Sequence, residues 1–303
     1  MDSVTGWVRI AVLALLWGSG FLWIKLALTG LSPVHLTLVR CALGALTLLA
    51  MAVGTGQRLP RDRRTWGRLV VAAFFCNALP FALFGIGERT VDSGVAGVMN
   101  ATTPLWSLLI GVLLGTDRRL GPARLLGLAL GFAGVLVIFA PWHQSGLLSG
   151  GALALLGAGL SYAIAFAYMA GKLPPGGAPL ALSAAQLMTA TALTALALPV
   201  SGAAPHLNLT AVVAVTILGV FGTGITFYLN YRVLTDEGPT AAATVGYLLP
   251  VVSVALGALV LGEPLTPRVV GGMVIVLAAV GLTRWPAQVK VPASSPGGLA
   301  APK

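Results

Sequence analysis

The chain has 303 residues, of which 57% are hydrophobic and only 9% charged, where a soluble domain carries about a quarter charged residues. Apolar runs of about 18 residues or more recur along its length, each long enough to cross a bilayer core of about 30 Å. A soluble fold is excluded, so the net charge of +10 needs a source other than a nucleic-acid surface.

In chain order the pattern predicts an all-α integral membrane protein of ten transmembrane helices. They fall at 7–28, 33–54, 66–87, 93–114, 122–141, 149–171, 179–200, 211–234, 239–261 and 267–285. The first run, Trp7 to Leu28, is too long for a signal-peptide core and has no cleavage-like end, so it reads as a retained span. Joints rich in Gly and Pro separate the spans, such as "TGLSP", "PWHQSG" and "LPPGGAP". The end, "PASSPGGLAAPK", reads as a disordered cytoplasmic tail. Cys41 and Cys76 both fall inside spans, which implies no disulfide framework.

Lys and Arg set the expected orientation. With the N-terminus in the cytoplasm, the inner side receives Arg9, Arg58, Arg61, Arg63, Arg64, Arg68, Arg118, Arg119, Arg124, Lys172, Arg232, Arg284, Lys290 and Lys303. The outer side receives Lys25, Arg40, Arg89 and Arg268. Both termini are therefore expected in the cytoplasm, and most of the basic charge is topology. The expected partners are a lipid bilayer and a small-molecule substrate, not nucleic acid.

The two halves match at an offset of 146 residues. Pro33 and Leu36 recur as Pro179 and Leu182, and Phe81 and Leu83 as Phe227 and Leu229. Pro104, Ser107, Gly111 and Leu113 recur as Pro250, Ser253, Gly257 and Leu259. This divides the chain into a first five-helix repeat at 1–143, a second at 147–286, and the tail at 287–303. Five is odd, so the second copy is expected inverted relative to the first. Inverted repeats place a substrate near the midplane between the halves, beside interrupted helices.

Four stretches carry a family resemblance: "LLWGSGFLWIKLAL" (15–28), "LVRCALGALTLLA" (38–50), "ALPFALFGIGERTVDSGVAGVMNATTPLWSLLIG" (78–111) and "AATVGYLLPVVSVALGALVLGEPLT" (242–266). Together they resemble the drug/metabolite transporter superfamily, specifically its ten-helix EamA-type exporters, over residues 10 to 285. The resemblance implies export of small metabolites, often amino acids or their derivatives, from the bacterial cytoplasm. "LLGTDRRLG" (113–121) departs from the family's Gly-Glu-Arg, with Asp117 as the stand-in.

The chemistry-bearing residues agree with a transporter. No phosphate-binding loop occurs, since "AGKL" (170–173) lacks the glycine spacing and the Ser/Thr. His35, His143 and His206 sit at outer span edges without metal-ligand spacing, so no metal, cofactor or catalytic residue is expected. Asp2, Asp62, Glu88, Asp92, Asp117, Asp236, Glu237 and Glu263 all fall in loops or at span ends. No carboxylate falls at the membrane midplane, so the usual proton-relay residue is missing and the driving force stays open. An integral-membrane enzyme and a passive channel stand as alternatives.

Two cations lie inside spans, Lys25 and Arg40. Each is a candidate for a substrate carboxylate, with snorkelling to the interface as the alternative. Candidate pocket residues at helical spacing are Asn77 and Phe81 with Phe84, Tyr162 and Tyr168 with Ser161, Phe227 and Asn230 with Thr223, and Tyr247 with Thr244. "NATTPLWS" (100–107) contributes Asn100, Thr102, Thr103 and Trp106. Within it Pro104 matches Pro250, which predicts a kink shared by both halves. Asn100, Thr102 and Thr103 become Gly246, Leu248 and Leu249, leaving a polar patch in one half only. "GLALG" (127–131) has small-residue spacing for seating the fifth span on a neighbour.

Overall fold

The computed structural model describes residues 3–113, 122–139, 149–173, 178–201, 204–236 and 239–284. They form helices joined by short turns, with no strand among the described residues. The first half holds α1 (Ser3–Gly18) and α2 (Gly20–Ala27), then α3 (Pro33–Gly54), α4 (Arg63–Ala73), α5 (Leu79–Gly87), α6 (Ser93–Asn100), α7 (Thr103–Leu113) and α8 (Pro122–Phe139). The second holds α9 (Gly150–Lys172), α10 (Pro179–Ala195), α11 (Leu209–Gly219), α12 (Thr226–Asp236), α13 (Pro239–Leu261) and α14 (Pro267–Arg284). Six rods are long and apolar enough to cross a membrane: Thr5–Ala27, Pro33–Gly54, Arg63–Gly87, Ser93–Leu113, Gly150–Lys172 and Leu209–Val233. Shorter apolar stretches cover Leu125–Ile138, Leu248–Leu261 and Pro267–Ala279.

Helix starts follow local chemistry. Asp62, Ser149 and Asn208 each stand at an N-cap and accept the N–H three residues on, from Thr65, Ala152 and Ala211 at 2.7, 3.2 and 2.7 Å. Each side chain thereby satisfies a donor that the first helical turn leaves free. For Asp62 the Thr65 N–H holds the carboxyl below its ordinary value.

Packing repeats the sequence offset. α4 and α11 begin and end 146 residues apart, and each runs into a π-helical turn, Phe74–Ala78 and Val220–Ile225. α8 packs on α14, α3 on α10 and α6 on α13, each pairing a helix with its counterpart. α5 on α9 mirrors α12 on α1, and α3 against the second π turn mirrors α10 against the first. The contact pattern thus maps onto itself when the halves are exchanged.

Large apolar side chains cover the outside, unlike the surface of a water-soluble protein, while several polar ones are enclosed within an apolar core. Leu46, Val53 and Leu259 are 63%, 69% and 82% exposed, whereas Thr37, Asn77, Glu88, Ser93, Thr102 and Thr223 are fully enclosed. Apolar side chains outside and polar ones inside suit a lipid surround. The interior is still close-packed: a Cβ added at Gly97 on α6 would collide with the side chain of Ser253 on α13. Gly131, in the stretch read as a packing seam, brings α8 against Leu105 in the same way.

Gly97→Val should therefore lower the stability of the detergent-solubilised protein by about 1–3 kcal/mol, the usual range for overpacking. Gly271→Val, where a Cβ meets nothing within 4 Å, should leave the thermal midpoint in place. Melting curves of both variants check the contrast.

Candidate substrate site

The two π turns lie in the middle of their rods, and each leaves a carbonyl without its helical partner. Hydroxyls fill both vacancies. Ser161 on α9 donates to the Phe75 carbonyl at 2.7 Å, and Thr223 donates to the Leu218 carbonyl at 2.9 Å. Each π turn also receives a side chain from the facing helix of the other half. Arg40 Nε on α3 donates to Thr223 Oγ1 at 2.9 Å, and Gln186 Nε2 on α10 donates to Asn77 Oδ1 at 2.6 Å. Arg40 and Gln186 are counterparts at the repeat offset, as are Thr223 and Asn77. The same bond is made twice, once with a charge and once without.

Arg40 is buried, and its Cζ lies 3.7 Å from the centre of the Phe81 ring. A guanidinium over an aromatic face gains a cation–π attraction worth up to about 2 kcal/mol when desolvated. No carboxylate pairs with it among the described residues. Asn77 is fully enclosed and its Nδ2 has no acceptor. Aromatic rings continue from this point, with Phe21 on Phe84 at 5.4 Å, Phe84 near Tyr162 at 6.1 Å and Tyr162 stacked on Phe166 at 5.9 Å. The structure therefore brings together Arg40, Asn77, Phe81 and Tyr162, with Phe84, Thr223 and Gln186.

The other candidates are placed differently. Thr102 and Thr103 turn their hydroxyls to the carbonyls of Met99 and Asn100, at 2.7 and 2.8 Å. Pro104 cannot donate to Asn100, so Thr103 supplies that bond and the break between α6 and α7 is satisfied internally. Their polarity serves the backbone. α13 runs continuously through Pro250, whereas α6 and α7 part before Pro104. Asn100 is half-buried, its side chain without a hydrogen bond. Trp106 packs on Phe132 at 5.1 Å, and its Nε1 is buried without an acceptor.

Phe227 packs against the cluster around Cys41 and Leu180, whereas Tyr168 and Asn230 are half-buried and make no side-chain hydrogen bond among the described residues. The Tyr247 and Thr244 side chains, and Asp117 and His143, lie outside the described residues. His35 Nδ1 meets Ser32 Oγ at 2.8 Å, and His206 is exposed. Among the described residues no His/Cys/Asp/Glu group could hold a metal. A cavity of about 350 Å³ opens at the loop end between Gly30, Ser32, Arg89 and His206. It touches none of the candidates, and its open, loop-built walls carry less chemistry than the enclosed Arg40 cluster.

The chain matches the EamA-like transporter family over residues 5–140 and again over 149–285. It belongs to that family. It is 28% identical over 263 residues to the uncharacterized transporter YdfC of Bacillus subtilis (strain 168), covering 86% of this chain and 85% of that one. The uncharacterized inner membrane transporter YedA of Escherichia coli (strain K12) is 28% identical over 265 residues, 84% of this chain and 82% of that protein. An uncharacterized protein of Pseudomonas aeruginosa is 31% identical over 258 residues, 82% and 86% of the two chains. The fold matches a solved crystal structure with a TM-score of 0.65 at 18% identity, covering 93% of this chain and 97% of that one. The protein is thus a membrane transporter with two EamA repeats.

In this EamA-like chain the "LGE" of the second repeat has a structural role. Glu263 reaches across the halves to the start of α6, accepting from Ser93 N, Ser93 Oγ and Gly94 N at 2.7, 3.0 and 3.0 Å. Asp92 occupies the N-cap position but makes no capping bond, so the cap comes from the other half. Lys25 is engaged at the same end, where its Nζ donates to the carbonyls of Glu88 and Val91 at 2.7 and 2.8 Å. Its ammonium thus holds a loop, away from the Arg40 cluster. Glu88, expected at a span end and so in contact with water, is instead fully enclosed. Replacing Glu263 by Ala should lower stability by about 1 kcal/mol, the usual worth of a cap, while Glu263→Gln, which keeps the acceptor oxygen, should lose less. Thermal melts of the two variants check the order.

Proposed function

We propose that this transporter exports a small carboxylate-bearing metabolite, an amino acid or a close derivative, across the bacterial cytoplasmic membrane by alternating access. In this reading ten spans form two inverted halves with both termini in the cytoplasm, consistent with the bias of Lys and Arg to one side. The substrate lies between the halves at Arg40, with Phe81 and Tyr162 as walls and Asn77 and Gln186 as polar contacts.

The observation that carries the reading is the Arg40 guanidinium, buried between helices of both halves with no carboxylate in ion-pair contact among the described residues. A desolvated charge without a paired carboxylate costs several kcal/mol, and a substrate carboxylate would recover much of it. The name of the inner membrane relative supports the location.

The test compares the growth medium of cells with and without the protein for amino acids and derivatives, then measures counterflow of the enriched compounds in proteoliposomes. Arg40→Gln should lower transport at least tenfold, since a hydrogen bond to a charged group is worth about 1.5–3 kcal/mol, with protein abundance and melting unchanged. Arg40→Gln transporting at the wild-type rate would sink this site. Absence of trans-stimulation would mean a channel instead.

A further inference from the structure

A second buried ionisable group lies outside the Arg40 cluster. Glu88 ends α5 at its C-cap and is 0% exposed, yet neither carboxylate oxygen has a hydrogen-bond partner. Lys25 forms no ion pair with it among the described residues, and its Nζ donates instead to the carbonyls of Glu88 and Val91. Glu263, arriving from the second half, already accepts three bonds from Ser93 and Gly94. The charged groups facing Glu88 are Lys25 on α2, Glu263 after α13 and Arg40 on α3. Asp92, in the same turn, faces Lys25 and Glu263.

Enclosure without a donor penalises the ionised carboxylate far more than the neutral acid. Burial, opposed by Lys25 and Arg40 and reinforced by Glu263, holds the Glu88 carboxyl well above the ordinary carboxylate range. The neutral acid is the form that suits the closed arrangement seen here.

We propose that Glu88 is a proton-binding site that couples export to the proton gradient. The inference rests on the exporter reading and adds its driving force. With this end of the bundle shut, the carboxyl carries its proton on an oxygen. When the opposite, cytoplasmic end opens, water reaching the bundle centre beside Arg40, which faces Glu88, takes that proton and leaves a carboxylate facing Glu263. Repulsion from Glu263 and attraction for Lys25 then draw the ammonium from the Glu88 and Val91 carbonyls, and the end opens outward with the substrate. After the substrate leaves, water at the outer face returns a proton to the oxygen and the end closes. The carrier travels outward loaded and deprotonated, and inward empty and protonated.

Two measurements test this. The first is an infrared pH titration of the substrate-free protein in liposomes, following the carbonyl stretch of protonated carboxylic acids. A band that titrates well above the ordinary glutamate value of about 4.3 and disappears in Glu88→Gln is expected. A band unchanged by Glu88→Gln overturns the proposal. The second uses proteoliposomes and an equimolar mixture of radiolabelled amino acids, comparing counterflow with accumulation driven by an interior-acid pH gradient. Glu88→Gln mimics the neutral acid and holds this end shut, so it should lose counterflow and gradient-driven accumulation alike with its melting unchanged, while Glu88→Asp restores both with a shifted pH dependence. Persistence of gradient-driven accumulation in Glu88→Gln overturns the coupling. Wild-type protein with no counterflow of any amino acid counts against the Arg40 reading alone, because the infrared band still decides Glu88.

Discussion

A bilayer interior offers no water to a hydrogen-bonding group, so every polar atom inside this bundle must be answered by the protein itself. Most of the threonines meet that demand within their own helix, as Thr37 does on Pro33, Thr47 on Leu43 and Thr194 on Ala190. Where the helical ladder fails, a hydroxyl repairs it. Ser161 serves the first π turn, Thr223 the second, and Thr103 the gap left by Pro104. Among the described residues the groups left over are the Asn77 amide N–H, the Trp106 indole N–H and the Glu88 carboxyl, with the Arg40 guanidinium buried and paired to no carboxylate. In so thoroughly satisfied an interior, unspent polarity is where a ligand or a proton has something to bind.

The repeat shows which of these leftovers are structural inheritance. Both halves make the same bond from α3 or α10 to the opposing π turn, so a donor at position 40 or 186 belongs to the architecture. Only one of the pair is charged, and its guanidinium lies over the Phe81 ring. A symmetric scaffold with Gln in both places would pack equally well, since Gln186 already does. The charge at Arg40 is an addition to the fold, and an addition that costs desolvation energy marks a site more sharply than composition does.

Much of the scaffold was legible in the residues. Apolar run lengths located the rods, and the prolines at 33/179 and 104/250 revealed an offset that the boundaries of α4 and α11 reproduce. The π turns were not legible, because one extra residue in a uniformly apolar stretch leaves no trace in its periodicity. They stand at the same offset all the same, so aligning the halves around Asn77 and Thr223 would have paired them. The polar octet at 100–107 has a backbone role that its composition did not reveal, since the Thr102 and Thr103 hydroxyls donate to the Met99 and Asn100 carbonyls. Glu88 was hidden for a third reason. Position at a span end gave no sign of its burial, and the charges that face it, Lys25 and Glu263, approach from other parts of the chain.

The cross-half contacts differ along the bundle in a way that bears on motion. In the middle they are buried hydrogen bonds at Thr223 and Asn77, where a lost partner would strand a polar group away from water. At one end Glu263 grips the start of α6, and at the other Arg9 meets Asp236 at 2.8 Å with both side chains about a fifth exposed. Water can replace the Arg9–Asp236 contact at little cost, because exposed ion pairs contribute about 0–1 kcal/mol. On the alternating-access reading proposed above, the buried bonds at Thr223 and Asn77 make the centre beside Arg40 the axis about which the halves pivot, and Glu88 lies at one of the ends that opens.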